Sequence, residues 1–61
     1  MLSDNIRSYR KKNNLSQDEL AEKIGVSRQS VSFWETGQTQ PTIDNIIALS
    51  RIFNISYDEL L

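Results

Sequence analysis

The chain has 61 residues, 38% of them apolar and 25% charged, with a formal net charge of −1. That is enough for one small domain around one core, in which a chain of this size buries only ~60% of its unfolded surface. It contains no Cys and no His, which excludes disulfides, Cys/His zinc sites, thiol nucleophiles and Ser-His-Asp triads. A non-enzyme with no metal and no cofactor is the expectation. The longest apolar run, Ile46-Ile47-Ala48-Leu49, is far short of the ~20 residues that span a bilayer. Met1-Leu2-Ser3-Asp4-Asn5 has no basic n-region and no apolar h-region. The expected location is the cytoplasm.

The spacing predicts five helices in an all-α domain covering residues 1–61, at about 3–13, 17–24, 28–36, 43–53 and 57–61. No stretch alternates long enough for a strand. Ser3, Ser16, Ser27, Thr42 and Ser56 each stand where a helix can begin, and each is a candidate N-cap. Ser16-Gln17-Asp18-Glu19 and Ser56-Tyr57-Asp58-Glu59 have the capping-box pattern. Gly25 and Gly37 fall where helices should stop.

The first helix puts Leu2, Ile6, Tyr9 and Asn13 on one stripe, with Arg10 ~40° from Ile6 at its edge. The second turns Leu20, Ala21 and Ile24 inward. A short helix ending at Gly25, a tight turn and a helix capped by Ser27 give the pattern of a helix-turn-helix over residues 17–36. The fourth helix carries Ile43, Ile46, Ile47, Leu49, Ile52 and Phe53. It reads as apolar over most of its circumference and is expected at the centre of the core.

The third helix is the informative one. With Arg28 at 0°, Ser32 falls at ~40°, Thr36 at ~80°, Gln29 at ~100° and Phe33 at ~140°. Val31 and Trp34 fall on the opposite face. Arg pairs with guanine O6/N7, Gln with adenine N6/N7, and apolar groups meet the thymine methyl. Arg28, Gln29, Ser32 and Phe33 therefore form a candidate base-reading face. An ordinary solvated face would carry Arg28, Gln29 and Ser32 equally well. An outward Phe33 is what favours a partner. Trp34 reads as core rather than as a base-stacking ring.

Charge is unevenly spread. Residues 1–34 hold six basic and four acidic side chains, a balance of +2, whereas residues 35–61 hold Arg51 against four acids, a balance of −3. Such an asymmetry lets one face meet a polyanion, although a difference of this size also arises by chance in a small chain. Arg10 and Glu35 both lie at the margin of an apolar stripe and have opposite charges. An ion pair between helices one and three would satisfy both. Ser27 can cap a helix and touch phosphate at once. Arg10, Lys11 and Lys12 read equally as a basic flank for phosphate or as solubilising charge.

Four segments, taken together, resemble the Cro/phage-repressor (Xre-like) helix-turn-helix family: Leu15-Ser16-Gln17-Asp18-Glu19-Leu20-Ala21, Ile24-Gly25-Val26-Ser27, Trp34-Glu35-Thr36-Gly37 and Pro41-Thr42-Ile43. The resemblance covers nearly the whole chain. It implies a compact five-helix lambda-repressor-like domain that binds a double-stranded DNA operator as a homodimer. It implies that helix three enters the major groove and helix two lies across the backbone. It assigns Gln17 to a phosphate, and Gln38, Thr39 and Gln40 to a loop that offers backbone N–H groups to phosphate. It also supports the Arg10–Glu35 pair.

The expected function is sequence-specific DNA binding by a bacterial or phage regulator, with a repressor as the first reading. The rival is an interaction module of the same fold, such as the antitoxin of a toxin–antitoxin pair. The chain stops at Leu60-Leu61, which reads as an N-terminal domain lacking a C-terminal dimerisation or sensor part. The alternative is a complete chain dimerising through helix five. No dimer interface is legible, because all five helices read as builders of one core.

Overall fold

The computed structural model describes residues 1–61. It contains α1 (Leu2–Lys12), α2 (Gln17–Ile24), α3 (Arg28–Thr36), α4 (Ile43–Phe53) and α5 (Tyr57–Leu60), and no strand. Four of the five starts are set by side-chain caps. The hydroxyls of Ser16, Ser27, Thr42 and Ser56 each accept the N–H three residues on, and Ser16 and Ser56 complete capping boxes with Glu19 and Glu59. Each cap satisfies a donor that the first helical turn otherwise leaves unpaired.

The first helix departs from the sequence expectation. It starts at Leu2, so Ser3 lies inside its first turn and caps nothing. The Asn5 N–H already closes that turn on the Met1 carbonyl at 2.9 Å. Leu2 packs on the core, and this burial favours a helix start two residues earlier than a Ser3 cap would set. At the other end Asn13 is exposed and leaves the apolar stripe. Its amide donates to the Tyr9 carbonyl at 2.7 Å.

Two stops use glycine in the left-handed region, Gly25 at φ 88° and Gly37 at φ 79°. Two turns place Asn there instead, Asn14 at φ 59° and Asn54 at φ 55°. Asn tolerates that region better than other residues with a side chain.

The core consists of Ile6, Leu20, Ala21, Val31, Trp34, Leu49, Phe53 and Leu60, which brings side chains from all five helices together. Ala21 is the small residue of this cluster. Tyr9 and Phe53 stack with ring centroids 5.8 Å apart. The Asn5 amide donates to the Leu60 carbonyl at 2.9 Å and ties α5 to α1.

The fourth helix is less central than its composition suggests. Leu49, Ser50 and Phe53 are buried, but Ile43 is 76% exposed, and Ile46 and Ile47 are only partly covered. The reason is that α4 packs on α1, α2 and α5 along one side and nothing covers the other. No helix is long and apolar enough to cross a membrane.

Candidate nucleic-acid interface

The Gly25 turn presents α3 beside α2. Val31 (0% exposed) and Trp34 (5%) pin its inner side to the core. Arg28, Gln29 and Thr36 are exposed on the outer side, and Ser32 and Phe33 are half-buried. Phe33 does not pack on the core cluster, whereas Tyr9, Trp34 and Phe53 do. The structure therefore brings Arg28, Gln29, Ser32 and Phe33 onto one accessible face of one helix.

The face is held by a buried polar knot. The Arg10 Nε meets the Glu35 Oε2 at 2.6 Å, and the Arg10 Nη2 meets the Oε1 at 3.1 Å. The two side chains are 11% and 4% exposed. This fork geometry is the strong form of a carboxylate contact. Arg10 spends its Nη1 on the Leu15 carbonyl at 2.8 Å, and Gln17 adds a third donor to Glu35 at 3.2 Å. The knot fastens α1, the α1–α2 turn and α2 to the last turn of α3. No buried side-chain polar atom lacks a partner.

Two groups that sequence reasoning sent toward phosphate have other engagements. Gln17 is half-buried and gives one amide N–H to Glu35, which leaves the second N–H of its amide for another acceptor. The backbone N–H groups of Gln38 and Thr39 donate to the Phe33 carbonyl at 2.9 and 3.4 Å. They close the end of α3 and are not free for a ligand. What that loop presents is the exposed side chains of Gln38, Thr39 and Gln40, and the Gln40 N–H. The cause is local: Gly37 turns the chain back, so the next two N–H groups both fall on the Phe33 carbonyl in the last turn of α3.

Ser27 is exposed, and its hydroxyl accepts the Ser30 N–H at 3.1 Å while lying 2.9 Å from the Ser30 hydroxyl. Lys11 is exposed on the outer side of α1. Sequence reasoning missed Asp18, whose carboxylate lies 3.6 Å from the Arg28 Nε with both side chains largely exposed. Their separation in sequence follows no single helix, so only the α2–α3 crossing reveals the pair. One titration is displaced: the Glu19 carboxyl is held below its ordinary value, first by the backbone N–H of Ser16 and then by the Ser16 side chain.

This arrangement has relatives. A helix-turn-helix family model matches residues 6–60. The chain belongs to that family. Over its full length it is 39% identical to control protein C.SmaI of Serratia marcescens and covers 73% of that protein. It superposes on the phage P22 c2 repressor, solved in complex with a synthetic operator, with a TM-score of 0.93 and 38% identity, covering 100% of this chain and 92% of that one. It superposes on the biofilm regulator SinR, solved in complex with DNA, with a TM-score of 0.87 and 34% identity, covering 98% and 97%. The domain is a five-helix repressor-like fold. Three other curated regulators that match the chain are longer, and it spans 29% to 54% of their length.

Proposed function

We propose that the chain is the DNA-binding domain of a transcriptional regulator, acting as a repressor in the cytoplasm and binding a double-stranded operator as a homodimer. The observation that carries this reading is the outer face of α3. Arg28 and Gln29 are exposed there beside Phe33, a ring that stays out of the core, on a helix fixed from behind by Val31, Trp34 and the Glu35 knot. An α-helix fits the major groove, and these side chains are the ones that read base edges there. The likeness to the P22 c2 repressor–operator structure and the SinR–DNA structure supports the same reading. Its family regulates transcription rather than catalysing reactions, and the chain is read accordingly.

In this mechanism Arg28, Gln29, Ser32 and Phe33 read bases. Gln17, Ser27, Lys11 and the 38–40 side chains set the register on phosphates. The exposed N-terminus of α3, between Ser27 and Arg28, adds the positive end of the helix dipole at the groove. Asp18 draws the Arg28 guanidinium toward α2 in the free protein, and in the complex the guanidinium exchanges that exposed contact for a base edge.

Selection of bound duplexes from a random pool tests the reading, first with the native chain and then with Arg28→Ala and Gln29→Ala. Each variant is expected to relax preference at one base pair and to cost ~1–3 kcal/mol on the selected site. A sequence preference unchanged by both substitutions would remove α3 as the reading helix.

A further inference from the structure

A hollow of about 150 Å³ lies where the start of α1 meets the loop after α3. Leu2, Ser3, Trp34, Thr39, Gln40 and Pro41 are among its walls, and no charged side chain lines it. At ~30 Å³ per water, that is the space of about five waters, enough for one tetrahedral oxyanion.

The hollow is bordered by unpaired donors. Met1 gives α1 no side-chain cap, and the first backbone bond of that helix is made by the Asn5 N–H. The N–H groups of Leu2, Ser3 and Asp4 therefore have no partner within the helix. The Ser3 hydroxyl stands in the same turn and caps nothing. On the other wall is the Gln40 N–H, which is free once Gln38 and Thr39 have closed α3.

Trp34 points the same way. It is 5% exposed, yet its indole N–H donates to no oxygen of the chain. No sealed side-chain polar atom lacks a partner, so this N–H opens to the surface, and the hollow is the opening that Trp34 lines. A buried ring that brings an unpaired donor to a hollow without an acidic wall is suited to a negative acceptor. The neighbouring carbonyl end of α3 is partly neutralised, because the Gly37, Gln38 and Thr39 N–H groups bond to the Trp34 and Phe33 carbonyls.

We propose that this hollow binds a phosphoryl group, held between the N-terminus of α1 and the Trp34 indole, with Ser3 and Gln40 at the rim. The positive end of an 11-residue helix favours that charge. The proposal rests on the DNA-binding reading and gives it a contact made by α1. Arg28 and Gly37 are nine residues apart, about 13 Å along α3, and the major groove is ~12 Å wide. With the Gln17–Ser27 side of the molecule against one wall of the groove, the hollow stands at the other. The same donors would hold the phosphate of a free small molecule, and experiment separates the two sources.

Trp34 is the one tryptophan of the chain, so its indole N–H gives a single signal in a nitrogen–proton correlation spectrum. That signal is followed while the native chain is titrated with inorganic phosphate, with sodium chloride at matched ionic strength, and with a selected duplex. It is expected to move with phosphate or with the duplex, together with the Ser3 and Gln40 amides, and to stay in place with chloride. A response to the duplex alone identifies a backbone phosphate. A response to phosphate that persists unchanged beside a bound duplex identifies a free ligand. Either supports the site.

Ser3→Asp sets a carboxylate at the rim, where the start of a helix tolerates one, and unchanged helical circular dichroism verifies its fold. It is expected to abolish whichever response the native chain gives. If the source is the duplex, affinity falls about tenfold with the selected sequence unchanged. Trp34→Phe keeps a buried ring and removes the N–H, and is expected to act in the same direction with an unchanged salt slope, because the lost donor is neutral. An indole N–H indifferent to phosphate and to a duplex that the chain does bind overturns the proposal and leaves the DNA-binding reading intact. A Ser3→Asp chain that responds like the native one also overturns it. A chain that answers to neither phosphate nor any duplex removes both.

Discussion

Glu35 presents an unusual demand for one residue, since its carboxylate is 4% exposed on a helix proposed to approach phosphates. Three donors answer it, two from Arg10 and one from Gln17. Removing one partner of a buried pair strands a charge and costs ~3–5 kcal/mol. At ~0.05–0.15 kcal/mol per residue a domain of this size has roughly 3–9 kcal/mol in total. Arg10→Met is therefore expected to unfold much of the population at room temperature. Arg10→Met with Glu35→Leu is expected to cost less than the sum of the single changes, as urea titration of the four chains in a double-mutant cycle would show. A coupling near zero would mean that the knot contributes nothing. Gln17→Ala separates the two roles of that amide. It is expected to cost ~1 kcal/mol of stability and to weaken all duplexes alike, without changing base preference. The sequence places Arg10 and Glu35 at stripe margins by helical spacing alone. The Gln17–Glu35 bond is invisible at that level, because it depends on how α2 crosses α3.

The elements are punctuated strongly enough to be read from the sequence, and their caps can be tested singly. Ser16→Ala removes the hydroxyl that accepts the Glu19 N–H at 3.0 Å and is expected to cost ~1 kcal/mol. Gly25→Ala meets no atom within 4 Å. Its cost is purely that of φ 88°, about 1–2 kcal/mol. Thermal melts of both variants check these values. The Glu19 carboxylate also accepts the Ser16 backbone N–H at 2.8 Å, and that bond lowers its titration. A carboxyl with a lowered folded-state pKa contributes stability that is present above its unfolded value and is lost as pH falls through the folded value. The start of α2 is thus expected to be held at neutral pH and to fray below the ordinary glutamate range. Following the Ser16 amide by NMR during acid titration reads this directly, and a Ser16 amide that is unchanged down to full protonation would refute it. Legibility fails in two kinds of place. Asn14 and Asn54 carry left-handed turns, but Asn is equally at home in caps and loops. The outer side of α4 is apolar in sequence and open in the structure, because periodicity identifies an apolar face and not whether a neighbour exists to cover it.

At the scale of the whole molecule, a net charge of −1 is a poor advertisement for a DNA-binding protein. The sequence halves differ in balance, although Arg10 is buried against Glu35 and so is not free for phosphate. The basic majority lies in residues 1–34, which form α1, α2 and most of α3, and the acidic excess lies in residues 35–61, which include α4 and α5. With Arg10 and Glu35 set aside as a pair, residues 1–34 keep five basic against four acidic side chains and residues 35–61 one against three. The consequence is a modest electrostatic contribution. With Gln17, Ser27 and the 38–40 side chains supplying neutral contacts, the charged ones come from Lys11, Arg28 and a few neighbours, so the number of phosphates neutralised per copy, Z, is on the order of two to four. Log K falls against log salt with a slope of about −0.9Z. Between ~50 and ~200 mM salt the affinity of one copy for a duplex is therefore expected to drop roughly 10- to 150-fold. Lys11→Gln is expected to make the slope shallower by about one and to leave the selected sequence unchanged. Arg28→Ala is expected to change the sequence more than the slope. Fluorescence anisotropy of a labelled duplex across that salt range measures all three chains. An affinity indifferent to salt would mean that Lys11, Arg28 and their basic neighbours are not turned toward the phosphates, and the α3 face would then need a different partner.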